Sequence, residues 1–162
     1  MEYLLKPIGL IHTPFSDAST TPIQASRSQS IGSVEVFPEF ATGLQDIEGF
    51  SYLILLYIFH KSNGYRLQVK PFLDDTLHGL FSTRHPCRPN PIGLSIVRLI
   101  ARRENILDIE GIDMLDGTPL LDIKPFVNDF DLRESEHCGW YDTKSANFTS
   151  RSTPKNLKLS YR

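Results

Sequence analysis

A chain of 162 residues is long enough for one domain with a core of its own, without disulfide or metal staples. No apolar run is long enough to span a bilayer, and Pro7 and Gly9 interrupt the start of the chain before a signal peptide could form, so no membrane partner is expected. A net charge of −2 excludes a uniformly basic surface, and two cysteines, Cys87 and Cys138, build no disulfide framework and suit a reducing, cytoplasmic setting.

Leu5 to Ile11 mixes β-branched and apolar residues and is predicted as a strand, closed by a turn at His12-Thr13-Pro14. Residues 16–30 are rich in Ser, Thr, Gln and Ala, the composition of a mobile loop. Ser33 to Phe37 alternates and reads as a strand, with Val34 pointing opposite to Glu35. Thr42 is placed as the N-cap of a short helix through Ile47, stopped by Gly49. Phe50 to Phe59 is continuously apolar, which predicts a strand buried on both faces in the middle of a sheet.

Shorter strands are expected at Arg66–Lys70 and Leu80–Thr83. Leu94–Arg103 and Ile106–Ile112 then flank Glu104-Asn105, a two-residue hairpin loop. In the second arm Leu107 and Ile109 face one way while Asp108 and Glu110 face the other. Leu120–Phe126 is the last strand. Many short strands with Pro and Gly punctuation, and almost no helical periodicity, predict an all-β, single-domain antiparallel barrel or sandwich with loops and a short helix. It is expected over residues 1–135, with 136–162 as a polar, basic extension.

Charge is unevenly spread along the chain. Residues 61–103 carry eight of the seventeen Lys and Arg against Asp74 and Asp75 alone, whereas 104–143 carry eleven acids against Lys124 and Arg133. The tail adds Lys144, Arg151, Lys155, Lys158 and Arg162 with no acid among them. Such segregation fits a nucleic-acid footprint on one face, and equally fits basic and acidic segments pairing with each other across the fold.

The run Phe81-Ser82-Thr83-Arg84-His85-Pro86-Cys87-Arg88-Pro89-Asn90-Pro91-Ile92-Gly93-Leu94-Ser95 holds three prolines within six residues. Each proline fixes φ, lacks an N–H and pushes its predecessor out of the helical region, so the loop is stiff and extended. It therefore either presents Arg84, Arg88 and Asn90 at fixed positions to an anionic or polar ligand, or is a rigid connector with solvated arginines. Gly93 either lets backbone approach a ligand or makes the turn.

That run resembles the signature loop of the TsaA-like family, which includes the TrmO-type S-adenosylmethionine-dependent tRNA methyltransferases. The resemblance extends to "PIGLIHTPF" near the start, "PIQ" at Pro22 to Gln24, "GFSYLILLYIFHK" ending at Lys61, and "LDGTPLLDIKPF" ending at Phe126, in the family's order over roughly residues 5 to 130. It implies a β-barrel outside the common methyltransferase architecture, in keeping with the absence of any Gly-x-Gly here. It also implies a homodimer and S-adenosylmethionine as methyl donor. The methyl acceptor would be N6 of a threonylcarbamoylated adenosine next to the tRNA anticodon.

Matched residue by residue, the resemblance places cofactor contacts at Pro22, Ile23, Gln24, His60, Lys61, Arg84, Leu94, Asp116, Gly117, Thr118 and Pro119, with Arg88 and Asn90 toward the substrate. Lys61 stands where bacterial members often carry a polar amide. Arg84 is the expected partner of a ligand carboxylate or phosphate. On the residues alone His60 is either a ligand contact or a satisfied histidine at the core edge, and Asp116-Gly117 reads as a tight turn. Asp113, Asp116 and Asp129 are possible acceptors or bases.

His85-x-Cys87 and His137-Cys138 form a soft-ligand set without zinc-knuckle spacing, so no metal is expected. Bacterial members also extend into a C-terminal domain in place of this short basic tail. Two rival readings therefore stand beside a tRNA methyltransferase: a module that senses S-adenosylmethionine without catalysis, and a methyltransferase acting on another RNA or a small molecule.

Overall fold

A computed structural model of the chain describes residues 3–17 and 28–149. In chain order its strands are β1 (Gly9–His12), β2 (Ile31–Val36), β3 (Tyr52–Ile58), β4 (Gln68–Val69), β5 (His78–Gly79), β6 (Ile92–Arg103), β7 (Ile106–Glu110) and β8 (Thr118–Pro125). Two helices follow, α1 (Asn128–Asp131) and α2 (Trp140–Thr149). Six strands close an antiparallel barrel in the order β1-β2-β7-β6-β3-β8, and β8 pairs back onto β1 through Gly9 with Leu120 and Ile11 with Thr118. Closure leaves no unpaired edge. Among the described residues no helix is long and apolar enough to cross a membrane.

The core follows from period-two alternation. Ile11, Val34, Leu53, Leu55, Val97, Leu107, Ile109 and Leu120 all point inward and are fully buried. Each buried aliphatic side chain of this kind contributes about 1.5–3 kcal/mol. Leu44 and Ile47, from two 3₁₀ segments, pack onto the same core.

Several sequence expectations change here. The helix begun at Thr42 is instead a 3₁₀ segment Pro38–Leu44 followed by another at Ile47–Gly49, with Asp46 in the left-handed region between them at φ 66°. That reversal stops the first turn from propagating into an α-helix. The first strand begins only at Gly9 and includes His12. The apolar run at 50–59 is buried on one face only. Leu53, Leu55 and Tyr57 are inside, whereas Tyr52, Ile54, Leu56 and Ile58 face outward and retain exposure. The Arg66–Lys70 strand shrinks to Gln68–Val69, paired with His78–Gly79. Leu80–Ser82 is a 3₁₀ turn rather than a strand.

The chain divides into two compact units. The first, Met1–Arg66 with Pro86–Leu132, contains the barrel. The second, Leu67–His85 with Arg133–Arg162, contains the β4–β5 pair and α2. The proline-rich loop is thus shared, Thr83–His85 belonging to the second unit and Pro86–Pro91 to the first.

Candidate functional site

Antiparallel closure gathers the C-terminal ends of β1, β3 and β7 and the N-terminal ends of β2, β6 and β8 at one mouth of the barrel. His60 and Lys61 leave β3 there. The Phe59 N–H donates to Pro91 O at 2.8 Å and the Ser62 hydroxyl to Pro86 O at 3.1 Å, which binds this turn to the Pro86–Pro91 segment. Inside that segment the Arg88 N–H donates to Pro86 O and the Ile92 N–H to Asn90 O, both at 2.8 Å. These are three-residue turns, the tightest reversals a backbone makes.

Across the mouth, residues 111–117 join β7 to β8. Gly117 holds φ 71°, a left-handed conformation that favours glycine, and its N–H donates to Ile11 O at 2.9 Å. Asp116 Oδ1 accepts the Thr13 N–H at 3.0 Å, so the turn is sewn to the end of β1. Thr118 is buried, and its hydroxyl donates to Leu115 O at 2.7 Å. Toward His60 Nδ1, 3.4 Å away, the same oxygen can then only accept. That favours the tautomer with hydrogen on Nδ1 and the lone pair on Nε2. Burial, and next the adjacent Lys61 charge, lower the His60 pKa from its ordinary 6.5, while hydrogen bonding at Ile58 opposes them.

Just inside the mouth, the Tyr57 hydroxyl and Ser95 Oγ lie 3.0 Å apart, and the Ser95 hydroxyl donates to Asp113 Oδ1 at 2.6 Å. Serine has one proton and spends it on the carboxylate, so Tyr57 donates to Ser95 and the chain is polarised toward Asp113. The Tyr57 ring meets Phe59 edge-on at 5.5 Å and occupies the space a side chain at 93 would need. A Cβ on Gly93 would come within 2.2 Å of that ring, so Gly93 is there for the tyrosine rather than for a turn.

The structure brings His60 and Thr118 together, and puts Asp116 and Gly117 on the turn just before β8, where Pro119 pairs with Leu10 of β1. Leu94 lies elsewhere on the barrel wall. On β6 it pairs with Leu56 of β3, faces outward and is 49 % exposed. Arg88 is half-buried, and Asn90 and Lys61 are exposed. Arg84 belongs to the second unit and is exposed. Pro22, Ile23 and Gln24 lie outside the described residues. Among the described residues no three His, Cys, Asp or Glu side chains are grouped so as to hold a metal ion.

Two features escaped the sequence. The Tyr57–Ser95 link was hidden because a tyrosine inside an apolar run reads as core, although a serine at an inward position of β6 was a visible signal. His12, placed in a turn, instead sits with Nε2 3.0 Å from Glu35 Oε2 and Nδ1 3.8 Å from Asp116 Oδ1. At the opposite end of the barrel an open cleft of about 510 Å³ is lined by Pro38, Ala41, Thr42, Arg102, Glu104 and Asn105. Its one arginine is committed to Leu44 O, Glu104 O and Glu48.

The family model described as the tRNA-methyltransferase O N-terminal domain matches residues 10–132. A probable S-adenosyl-L-methionine-binding protein of Pyrococcus abyssi is 55 % identical over 138 residues, 85 % of this chain and 75 % of that protein. A tRNA (adenine(37)-N6)-methyltransferase of Rattus norvegicus is 39 % identical over 136 residues, 79 % of this chain but 32 % of the relative, so the chain spans about a third of that protein. A crystal structure of TrmO superposes with a TM-score of 0.73 at 37 % identity, covering 86 % of this chain and 64 % of that one, less than two thirds of its length. The structure of TrmO from Pseudomonas aeruginosa matches equally well at 34 % identity.

Proposed function

The chain belongs to the tRNA-methyltransferase O N-terminal domain family, and from that premise we propose that it is an S-adenosylmethionine-dependent tRNA (adenine-N6)-methyltransferase. The observation that carries the reading is the His60–Thr118 contact, which joins two motif segments 58 residues apart at the barrel mouth. The donor set suits the ligand. It offers a neutral imidazole with an accepting Nε2, the Asp116 carboxylate, the exposed Lys61 ammonium and a pinned glycine turn. When bound, S-adenosylmethionine supplies an electrophilic methyl whose sulfur leaves as a neutral thioether, so no protein acid is required.

The chain's own groups then have to bind and orient. His60, uncharged near neutral pH, accepts an N–H from the ligand without repelling a cation. The Asp116-Gly117 turn, fixed by Ile11 and Thr13, and the start of β8 at Thr118-Pro119 supply backbone groups at constant positions. Arg84 is assigned to the methionyl carboxylate, and Pro22–Gln24 complete the contacts. Arg88 and Asn90 face the RNA. The acceptor is the threonylcarbamoylated adenosine beside the anticodon, whose carbamoyl group makes the N–H more acidic.

A homodimer belongs to the same reading. Ile54, Leu56, Ile92, Leu94, Ile96 and Ile100 line the outward face of β3 and β6, with Ile92, Leu94, Ile96 and Ile100 each 39–49 % exposed. An apolar strip of that kind, interrupted by Arg98, suits a second copy.

Incubation with methyl-labelled S-adenosylmethionine and tRNA, with and without threonylcarbamoylation, tests the activity. Label entering only the modified tRNA is the expected result. Calorimetric binding of S-adenosylmethionine with no label transferred to any RNA would favour the sensor reading.

A further inference from the structure

The second unit holds a cluster that the barrel mouth does not explain. Asp74 is buried, with 8 % exposure, and its carboxylate collects three donors. Oδ1 accepts the Thr76 N–H at 3.0 Å and the Lys144 ammonium at 3.2 Å, and Oδ2 faces His78 Nε2 at 3.0 Å. The Thr76 N–H foremost, then His78 and Lys144, hold its pKa far below the ordinary 3.8. The His78 ring in turn stacks on Trp140, with centroids 4.7 Å apart at 28°. The indole N–H of Trp140 donates to Ser82 O at 2.8 Å, 58 residues back in the chain.

Trp140 and Lys144 stand four residues apart on α2, so they share one face of the helix. One grips the carboxylate of Asp74 and the other the carbonyl of Ser82. Between those grips lies a tightly built turn. The Ser82 hydroxyl donates to Gly79 O at 2.7 Å, and the Thr83 N–H and hydroxyl both donate to Leu80 O, at 3.0 and 2.8 Å. Arg84 follows two residues after Ser82.

We infer that Trp140 and Lys144 are positioning residues for Arg84: the first turn of α2 clasps the segment from Asp74 to Ser82 and fixes the backbone from which the Arg84 guanidinium projects. A four-torsion side chain binds a carboxylate tightly only when its root is held, because the ordering cost is otherwise met at binding. The clasp places that cost on folding instead. The inference rests on Arg84 contacting the methyl donor, as proposed above, and the test separates the two.

Full-length protein is compared with Trp140→Phe, which keeps a ring against His78 but loses the N–H to Ser82. Lys144→Met keeps the stem and loses the charge, and Lys144→Arg keeps the charge. Each is made alone and with Arg84→Ala, and S-adenosylmethionine affinity is read by calorimetry beside thermal melting. Arg84→Ala should weaken binding about tenfold or more, as loss of a charge-assisted contact does. Trp140→Phe and Lys144→Met should each weaken it about three- to tenfold, Lys144→Arg should restore it, and neither clasp variant should add to Arg84→Ala.

Clasp variants that lower the melting temperature while binding as the wild type, or whose losses add fully to Arg84→Ala, would overturn the inference and leave Arg84 in place. Unchanged binding in Arg84→Ala would overturn the reading beneath it.

Discussion

At Gly93 a missing side chain is what the structure uses. The Tyr57 ring fills the space, and its hydroxyl begins the chain that ends on Asp113. Gly93→Ala has to push the ring aside, an overpacking that costs about 1–3 kcal/mol, and calorimetric melting should show it. Tyr57→Phe removes only the donor and should cost about 0.5–1.5 kcal/mol; a Gly93→Ala loss no larger than that would mean the ring moves freely. His60 sets a pH dependence with a definite sign. Its folded pKa is lowered, so as pH falls through the ordinary 6.5 the unfolded chain takes up the proton first and stability drops. Denaturant titrations at pH 7.5 and 5.5 should show that drop in the wild type and a smaller one in His60→Gln; equal drops would assign it to other groups. His60 and Thr118 could be singled out because each lies in a contiguous motif, and the structure brings the two within 3.4 Å. The Asp74–Lys144 and Trp140–Ser82 contacts could not be, since nothing local in a sequence announces a pairing across 58 or 70 residues.

Among the elements, the β6–β7 hairpin was read almost to its ends, because a two-residue loop fixes register and Leu107 and Ile109 alternate cleanly with acids. The loop carries a cost. Glu104 sits at φ 55°, a left-handed conformation that asparagine adopts more readily. Glu104→Asn should raise stability by up to about 1 kcal/mol, seen as a higher denaturation midpoint with unchanged slope, since Arg102 uses only the backbone carbonyl at 104 and its bond survives. The β3 strand misled for the opposite reason. Continuous apolarity means burial on both faces when helices cover a sheet, yet here the outward residues Ile54 and Ile96 pair on the bare barrel wall. If a second copy covers that wall, Ile96→Glu should convert the protein to monomers in sedimentation experiments while the barrel still melts cooperatively. A variant that keeps the wild-type mass would place any dimer contact elsewhere.

Taken as a whole, the molecule uses much of its charge on itself. Arg98 and Arg103 on β6 pair with Glu110 and Asp108 on the neighbouring β7, while Arg102 pairs with Glu48 of the 3₁₀ segment Ile47–Gly49. Two of the basic residues of 61–103 and two of the acids of 104–143 thus meet in cross-strand pairs, and Lys144 too is engaged, by Asp74. Arg151, Lys155, Lys158 and Arg162 lie outside the described residues. If they serve RNA, removing residues 150–162 should flatten the salt dependence of tRNA binding and leave S-adenosylmethionine affinity unchanged, because phosphate contacts act through counterion release. A full salt slope in the truncated protein would end that role.

The two units are interleaved: residues 67–85 leave the barrel chain between β3 and β6, and their partner segment begins only at Arg133. A ribosome therefore delivers all the barrel strands before any of α2. The barrel can close while Asp74 still lacks its ammonium and Ser82 its indole, and the clasp engages only once α2 has emerged. Nascent chains halted before Trp140 should then resist protease across the barrel and be cut within residues 67–85, a vulnerability that disappears once α2 has been translated.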